Sequence, residues 1–243
     1  MDSLSFLVVA LISGAIAGTI LGLVNLALVE PYLDKAIGIE VQNSISEGEE
    51  VNPVEHNNYR LWQKGGEIAA GTILGMAFGS LLGIVFVFGR RIIPSGSNIK
   101  KALVLSGIVW LVIFLVPAIK YPANPPTVGD PDTINYRQSL FISFILISGF
   151  TALGLAILYT KMKKSKVSIK FLTVSIIYAI IMTGAFLVVP PNPDEITAPM
   201  DLVNGFRIMS MLTITVFWII LGITFGLIWE KLKPHEATQF KPI

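Results

Sequence analysis

Apolar residues run along this chain in six long blocks, at 6–29, 68–88, 102–119, 139–159, 171–189 and 208–229. A helix rises about 1.5 Å per residue, so about 20 apolar residues cross a hydrocarbon core about 30 Å thick. Each block therefore predicts one membrane-spanning helix. The third is the shortest and is expected to use Lys100 or Lys120 as snorkelling ends. The first is too long for a signal-peptide core and has no basic lead, so it is expected to be retained as a span. The fold expected is an all-α membrane protein, a single integral domain over 1–243. Its six helices would form three hairpins with proline-rich outer loops.

Composition agrees with the pattern. Hydrophobic residues make up 53% of the chain and charged residues 14%, against roughly a quarter charged in soluble domains. The absence of cysteine excludes disulfides, thiolate metal sites and a cysteine nucleophile, and two histidines cannot build a histidine cage. No nucleotide fingerprint, HExxH motif or nucleophile-base pairing is present, so neither enzyme activity nor a catalytic cofactor is expected. No Asp, Glu, Lys, Arg or His lies inside the six blocks, which argues against a proton relay within the bilayer. Asn25 and scattered Ser and Thr are the polar groups left there.

Charge then orients the spans. The loops around Arg90, Lys100, Lys161, Lys170 and Lys231 carry twelve of the 18 basic residues, and those around Lys35, Arg60, Lys120, Arg137 and Arg207 carry six. The positive-inside rule makes the first set cytoplasmic, with both termini in the cytoplasm and the protein in the cytoplasmic membrane. Thirteen of the 16 acidic residues fall on the opposite face. An acidic mouth of that kind concentrates cations at the surface. The turn through Pro94, Ser95, Gly96 and Ser97 lacks the glycines and lysine of a phosphate loop, and no chemistry is expected of it.

Two glycine ribbons stand out: Gly14, Gly18 and Gly22 in the first span, and Gly71, Gly75, Gly79 and Gly83 in the second. Four-residue spacing of small residues predicts close helix packing, with a glycine-lined conduit as the alternative. In the connecting stretch 30–67, residues Glu30 to Ile37 read as a short amphipathic helix. Residues Tyr59 to Gly66 read as an interfacial lead-in, and 44–58 as mobile polar chain that includes Glu47, Glu49, Glu50 and Glu55. His56 is expected to be solvated there rather than to ligate a metal.

An internal parallel repeat is expected to relate 102–165 to 171–235. At an offset of 70 residues Arg137 meets Arg207, Tyr159 meets Trp229, Lys161 meets Lys231 and Lys163 meets Lys233. Asn124-Pro125 meets Asn192-Pro193 at an offset of 68. The first hairpin fits more loosely, through Pro31, Arg60 and Arg90, which suggests a pseudo-threefold arrangement of hairpins.

The outer loops carry the candidate chemistry. Pro117, Pro122, Pro125, Pro126 and Pro131 remove amide donors and stiffen the stretch 120–137, leaving it rich in acceptors. Asp130, Asp132, Asp194, Glu195, Glu30 and Glu67 are the candidate metal ligands, since carboxylates suit hard divalent cations. A softer metal would also want imidazole. The alternative is that Arg137 and Arg207, each at the start of a span, pair with these acids and tie down the loops.

The signature that carries a family likeness is Lys120-Tyr121-Pro122-Ala123-Asn124-Pro125-Pro126 with Val128-Gly129-Asp130, Thr133 and Arg137. It is flanked by Glu30-Pro31, Ala36-Ile37, Arg60, Gln63 and Gly65-Gly66 upstream, and by Phe206-Arg207, Ser210, Trp218, Leu221-Gly222 and Phe225-Gly226 downstream. In these the chain resembles CbtA, a family of proposed cobalt transporter subunits, along nearly its whole length. It departs from the family pattern around Pro190-Pro191-Asn192-Pro193, which is richer in proline. The resemblance implies a membrane subunit for uptake of a transition metal, cobalt, beside a small single-span partner bearing histidines. It brings no ligand residues with it. An accessory or structural component of a larger membrane complex is the second reading; no nucleic-acid partner is expected.

Overall fold

The computed structural model describes residues 3–48, 52–93, 96–126, 128–162 and 166–234. Glu49, Glu50, Pro94, Ser95, Lys163 and Lys164, which fall in the stretches named above, lie outside the described residues. Among the described residues there is no strand. The elements are α1 (Ser3–Leu28), α2 (Glu30–Ser46), α3 (Pro53–Gly89), α4 (Asn98–Lys120), α5 (Ile134–Lys161), α6 (Val167–Val188) and α7 (Met200–Leu232). All but α2 are long and apolar enough to cross a membrane.

Two helices run well beyond their apolar blocks. The expectation of mobile chain over 44–58 fails at both ends, because α2 continues to Ser46 and α3 already begins at Pro53. The start of α3 is written in its first residues. Asn52 is extended, its Oδ1 accepts from the N–H of Val54 at 3.1 Å, and Pro53 fills the first helical turn, where no N–H is needed. Pro31 breaks α1 from α2, since it lacks the N–H that α1 would need to continue. In α4, the π turn Leu111–Leu115 interrupts an otherwise α-helical rod just before Pro117.

The chain divides into two compact units, which α4 joins covalently: Met1–Ile108 with Pro125–Thr127 and Ala198–Ile243, and Val109–Asn124 with Val128–Thr197. In the first unit α1 packs along α3 and α7. The glycine ribbons are the reason. A Cβ on Gly14 would strike the Gly75 carbonyl, and one on Gly18 would strike the Gly71 carbonyl. The backbones touch, and Thr19 and Thr72 share a hydrogen bond of 2.8 Å beside them. The ribbons therefore serve helix packing and enclose no conduit between these two helices.

Against this pair α7 lays an aromatic seam. Phe86 lies 4.7 Å from Trp229 and 5.2 Å from Phe225 between ring centroids, and Phe78 lies 5.2 Å from Trp218. The first turns of α4 dock on α7 through Gly222 and Gly226, where Ser106 Oγ donates to the Trp218 carbonyl at 2.5 Å. The tip of α2 is fixed to α7 by Tyr32, whose ring occupies the place of a side chain at Gly205, and Ala36 on the same helix is fully buried.

In the second unit the end of α4 packs on α5, and α5 on α6. Ser148 of α5 is fully buried, donates to the Val112 carbonyl at 2.5 Å, and meets the Tyr178 hydroxyl of α6 at 2.6 Å.

The backbone contact of α1 with α3 leads to a direct expectation. Gly75→Ala should destabilise the detergent-solubilised protein by about 1–3 kcal/mol, the range for overpacking a tight interface. Gly107→Ala and Gly184→Ala, where an added Cβ meets nothing within 4 Å, should be neutral or slightly stabilising. Denaturant titration followed by circular dichroism measures all three.

Candidate functional site

Polar side chains concentrate outside the long apolar stretches, one cluster in each unit. In the first unit, Glu30 and Asp34 stand four residues apart on α2, and Arg60 and Lys64 stand four apart on α3. The two pairs face each other as complementary rows. Arg60 Nη2 donates to Glu30 and, at 2.9 Å, to Asp34; Lys64 Nζ lies 2.9 Å from Asp34 and 3.5 Å from Glu30. Gln63 Oε1 accepts a further Arg60 hydrogen bond at 2.6 Å. Glu30 is buried, so these bonds replace the water it has lost.

Partial burial works against the Asp34 charge. Hydrogen bonds from Arg60 and Lys64 more than offset it, and hold the Asp34 carboxyl below its usual value. Glu67, partly buried one turn beyond Lys64, accepts from the Asn25 side chain and lies within the field of Glu30. Asn25 Oδ1 is itself buried and meets no donor among the described residues. Three carboxylates thus face two cations, which leaves an excess of negative charge where α1, α2 and α3 meet. A shallow cleft of about 350 Å³ opens beside this cluster, lined by Asp34, Ile37, Gly38, His56, Asn57, Arg60, Leu61 and Lys64. His56 is partly exposed on its wall.

In the second unit the hub is Asp194, whose carboxylate is buried to 6% exposure. Its Oδ2 accepts from Arg137 Nε at 2.9 Å, the Thr133 hydroxyl at 2.7 Å and the Asp130 N–H at 3.1 Å. Arg137 Nη2 also donates to the Asp130 carbonyl at 3.0 Å. Gly129 makes this fit possible. Its φ is +101°, and a Cβ there would stand 2.7 Å from Asp194 Oδ2 and collide with the Arg137 guanidinium. The Asp130 side chain turns back to accept from the Asp132 N–H at 2.9 Å, which opens the short 3₁₀ turn leading into α5.

Lys120 and Tyr121 complete this cluster at the end of α6. Lys120 Nζ donates to the Phe186 carbonyl at 2.8 Å and sits 4.5 Å from the centre of its ring. The Tyr121 hydroxyl donates to the Pro190 carbonyl. A lysine that caps the last carbonyls of a helix also meets the negative end of its dipole.

The acidic residues singled out in the sequence thus fall into two sets. Glu30 and Glu67 come together in the first unit. Asp130 and Asp194 come together in the second, with Asp132 one turn away, while Glu195 is exposed. Arg137 pairs with Asp194 as the ion-pair alternative expects, and it ties the loop before α5 to the loop after α6. Among the described residues no group of three or more His, Asp or Glu side chains is arranged to hold a metal ion. Sequence reasoning missed Asp34 and Lys64 as clamp residues, although the matched four-residue spacings Glu30/Asp34 and Arg60/Lys64 were a usable signal. It also missed Ser148 and Tyr178, for which only the nearby Pro117 gave a hint.

Among the described residues, six helices long and apolar enough to cross a membrane, with polar clamps outside their apolar stretches, define a multi-pass helical membrane protein. The chain matches the family described as probable cobalt transporter subunit (CbtA) over residues 4–230, and it belongs to that family. Comparison with curated proteins and with solved structures finds no match.

Two expectations follow from the clamps. Arg60→Ala should lower stability by about 2–3 kcal/mol, because Glu30 stays buried with only the more distant Lys64 near it. Arg60→Lys should recover part of the loss. Asp34 has a lowered folded value, so its contribution is complete above the ordinary Asp value of about 4 and is lost as pH falls below it. Acid titration of Trp62 fluorescence, beside the clamp on α3, should show a transition that shifts toward neutral pH in Lys64→Ala.

Proposed function

We propose that this chain is the membrane subunit of a transition-metal uptake system whose substrate is cobalt, and that it works with a partner protein. The observation that carries the reading is the family match across residues 4–230. The six apolar helices fit it, as does the word subunit in the family description.

In this reading both termini lie in the cytoplasm and the acidic clamps face outward. The hairpins starting at the third and fifth spans repeat one plan. The excess of carboxylate oxygen at Glu30 and Glu67, with the bare Oδ1 of Asn25 beside them, draws divalent cations to the mouth. In the second unit Asp130, Asp132, Asp194 and Glu195 are the candidate carboxylates, while Asp194 and Arg137 hold the loops in place. Cobalt also favours imidazole. With two histidines in the whole chain, the partner supplies that chemistry.

The test is cobalt accumulation in cells that lack their own uptake system, with this chain expressed alone and together with its partner. The expected result is a several-fold rise in accumulation with both present, reduced several-fold by Glu67→Gln at equal expression. Unchanged accumulation in both arms would sink the transport reading and leave the accessory one.

A further inference from the structure

The π turn of α4 and the two hydroxyls beside it form a device that the clamps and the family description do not touch. In an α-helix the Val116 N–H would donate to the Val112 carbonyl. Here it donates one residue further back, to Leu111. Pro117, next in line, has no N–H to offer. Val112 is therefore without a main-chain donor, inside a segment where lipid offers none. The buried Ser148 hydroxyl takes the place of that donor at 2.5 Å. Since its one hydrogen is committed to Val112, the bond of 2.6 Å to Tyr178 is donated by the tyrosine.

The carbonyl that Pro117 itself strands differs between the two registers. In the α register the orphan is Ile113, four residues back, whose carbonyl the proline ring would also crowd. In the π register it is Val112, the one that Ser148 reaches. The carbonyl that Pro117 strands is thus within reach of a side-chain donor in the π register, where Ser148 bonds Val112. A choice of that kind is decided by a side chain.

We propose that α4 is a two-register element, held in its π form by Ser148 and Tyr178, which returns to the α form when that pair lets go of Val112. The exchange moves one residue into or out of the turn. It rotates the helix on one side of Leu111–Leu115 relative to the other by about 100°, the angle of one residue. The inference rests on the fold alone and is independent of which substrate, if any, is carried.

The native chain has no cysteine, so spin labels on Val104→Cys and Ile119→Cys, both at lipid-exposed positions of α4, report the register directly. Pulsed electron–electron distance measurement in lipid nanodiscs is expected to give one main distance for the otherwise native chain. Pro117→Ala, which removes the crowding and restores the donor, should give another, that of a continuous α-helix. Ser148→Ala should move the main peak to the Pro117→Ala distance. Ser148→Thr should keep the native one, which separates the hydroxyl from side-chain volume. Tyr178→Phe should raise the share of the α distance about five-fold, the worth of one buried hydrogen bond.

The proposal is overturned if Ser148→Ala keeps the native distance, or if Pro117→Ala leaves the distance unchanged. Should Ser148→Ala yield no folded protein, Tyr178→Phe decides: growth of the α distance supports the switch, and an unaltered distribution overturns it.

Discussion

Every polar backbone group that enters a hydrocarbon layer must find a partner within the protein, and this requirement explains several of the side-chain bonds seen here. A helix meets it internally except at its ends and at its prolines. Those are the places where the chain places donors and acceptors. Lys120 covers the Phe186 carbonyl at the end of α6. Glu230 accepts from the Ile99 N–H at the start of α4 at 3.4 Å, and Ser148 covers Val112 at the π turn. Ser106 adds a bond to the Trp218 carbonyl in the middle of α7. None of these side chains need act on a substrate to be indispensable.

The same constraint gives the glycines their weight. Between helices in lipid there is no hydrophobic gain to drive association, so attraction depends on close van der Waals contact. In α1 and α3 this is carried to the point where backbones meet at Gly14, Gly18, Gly71 and Gly75. Larger side chains enter only where α7 approaches, as the seam of Phe86, Phe217, Phe225 and Trp229. Gly107, Gly149, Gly154 and Gly184, with open space around them, do not take part in such contacts. Spacing alone therefore does not identify a packing glycine.

The six spans were legible because their signal is additive: about 20 apolar residues in a row leave few other structures possible. The extension of α3 back to Pro53 was not, because Glu55, His56, Asn57 and Asn58 look like loop composition. The decisive cue was a cap, Asn52 followed by Pro53, rather than a periodicity. The Arg137 pair was legible as a type of interaction but not as a partner, since Asp194 is brought to it by the fold from 57 residues away. The π turn had one visible cause, Pro117. Its other causes, Ser148 and Tyr178, lie on different helices, and no pattern local to α4 contains them.

The family signature gains a physical meaning from these positions. Lys120 and Tyr121 bind the end of α6 and the chain just after it. Gly129 adopts a φ that other residues rarely reach and leaves room for the Arg137 guanidinium, and Thr133 and Arg137 grip Asp194. A motif that looks like a ligand-binding loop in sequence, rich in proline and acid, is thus a latch in which the acids are already spoken for. The carboxylate excess is at Glu67, near Glu30, where three acids meet two bases and Asn25 Oδ1 meets no donor among the described residues. The excess of carboxylate charge therefore lies where α1, α2 and α3 meet, and the proline-rich latch holds its own helices together.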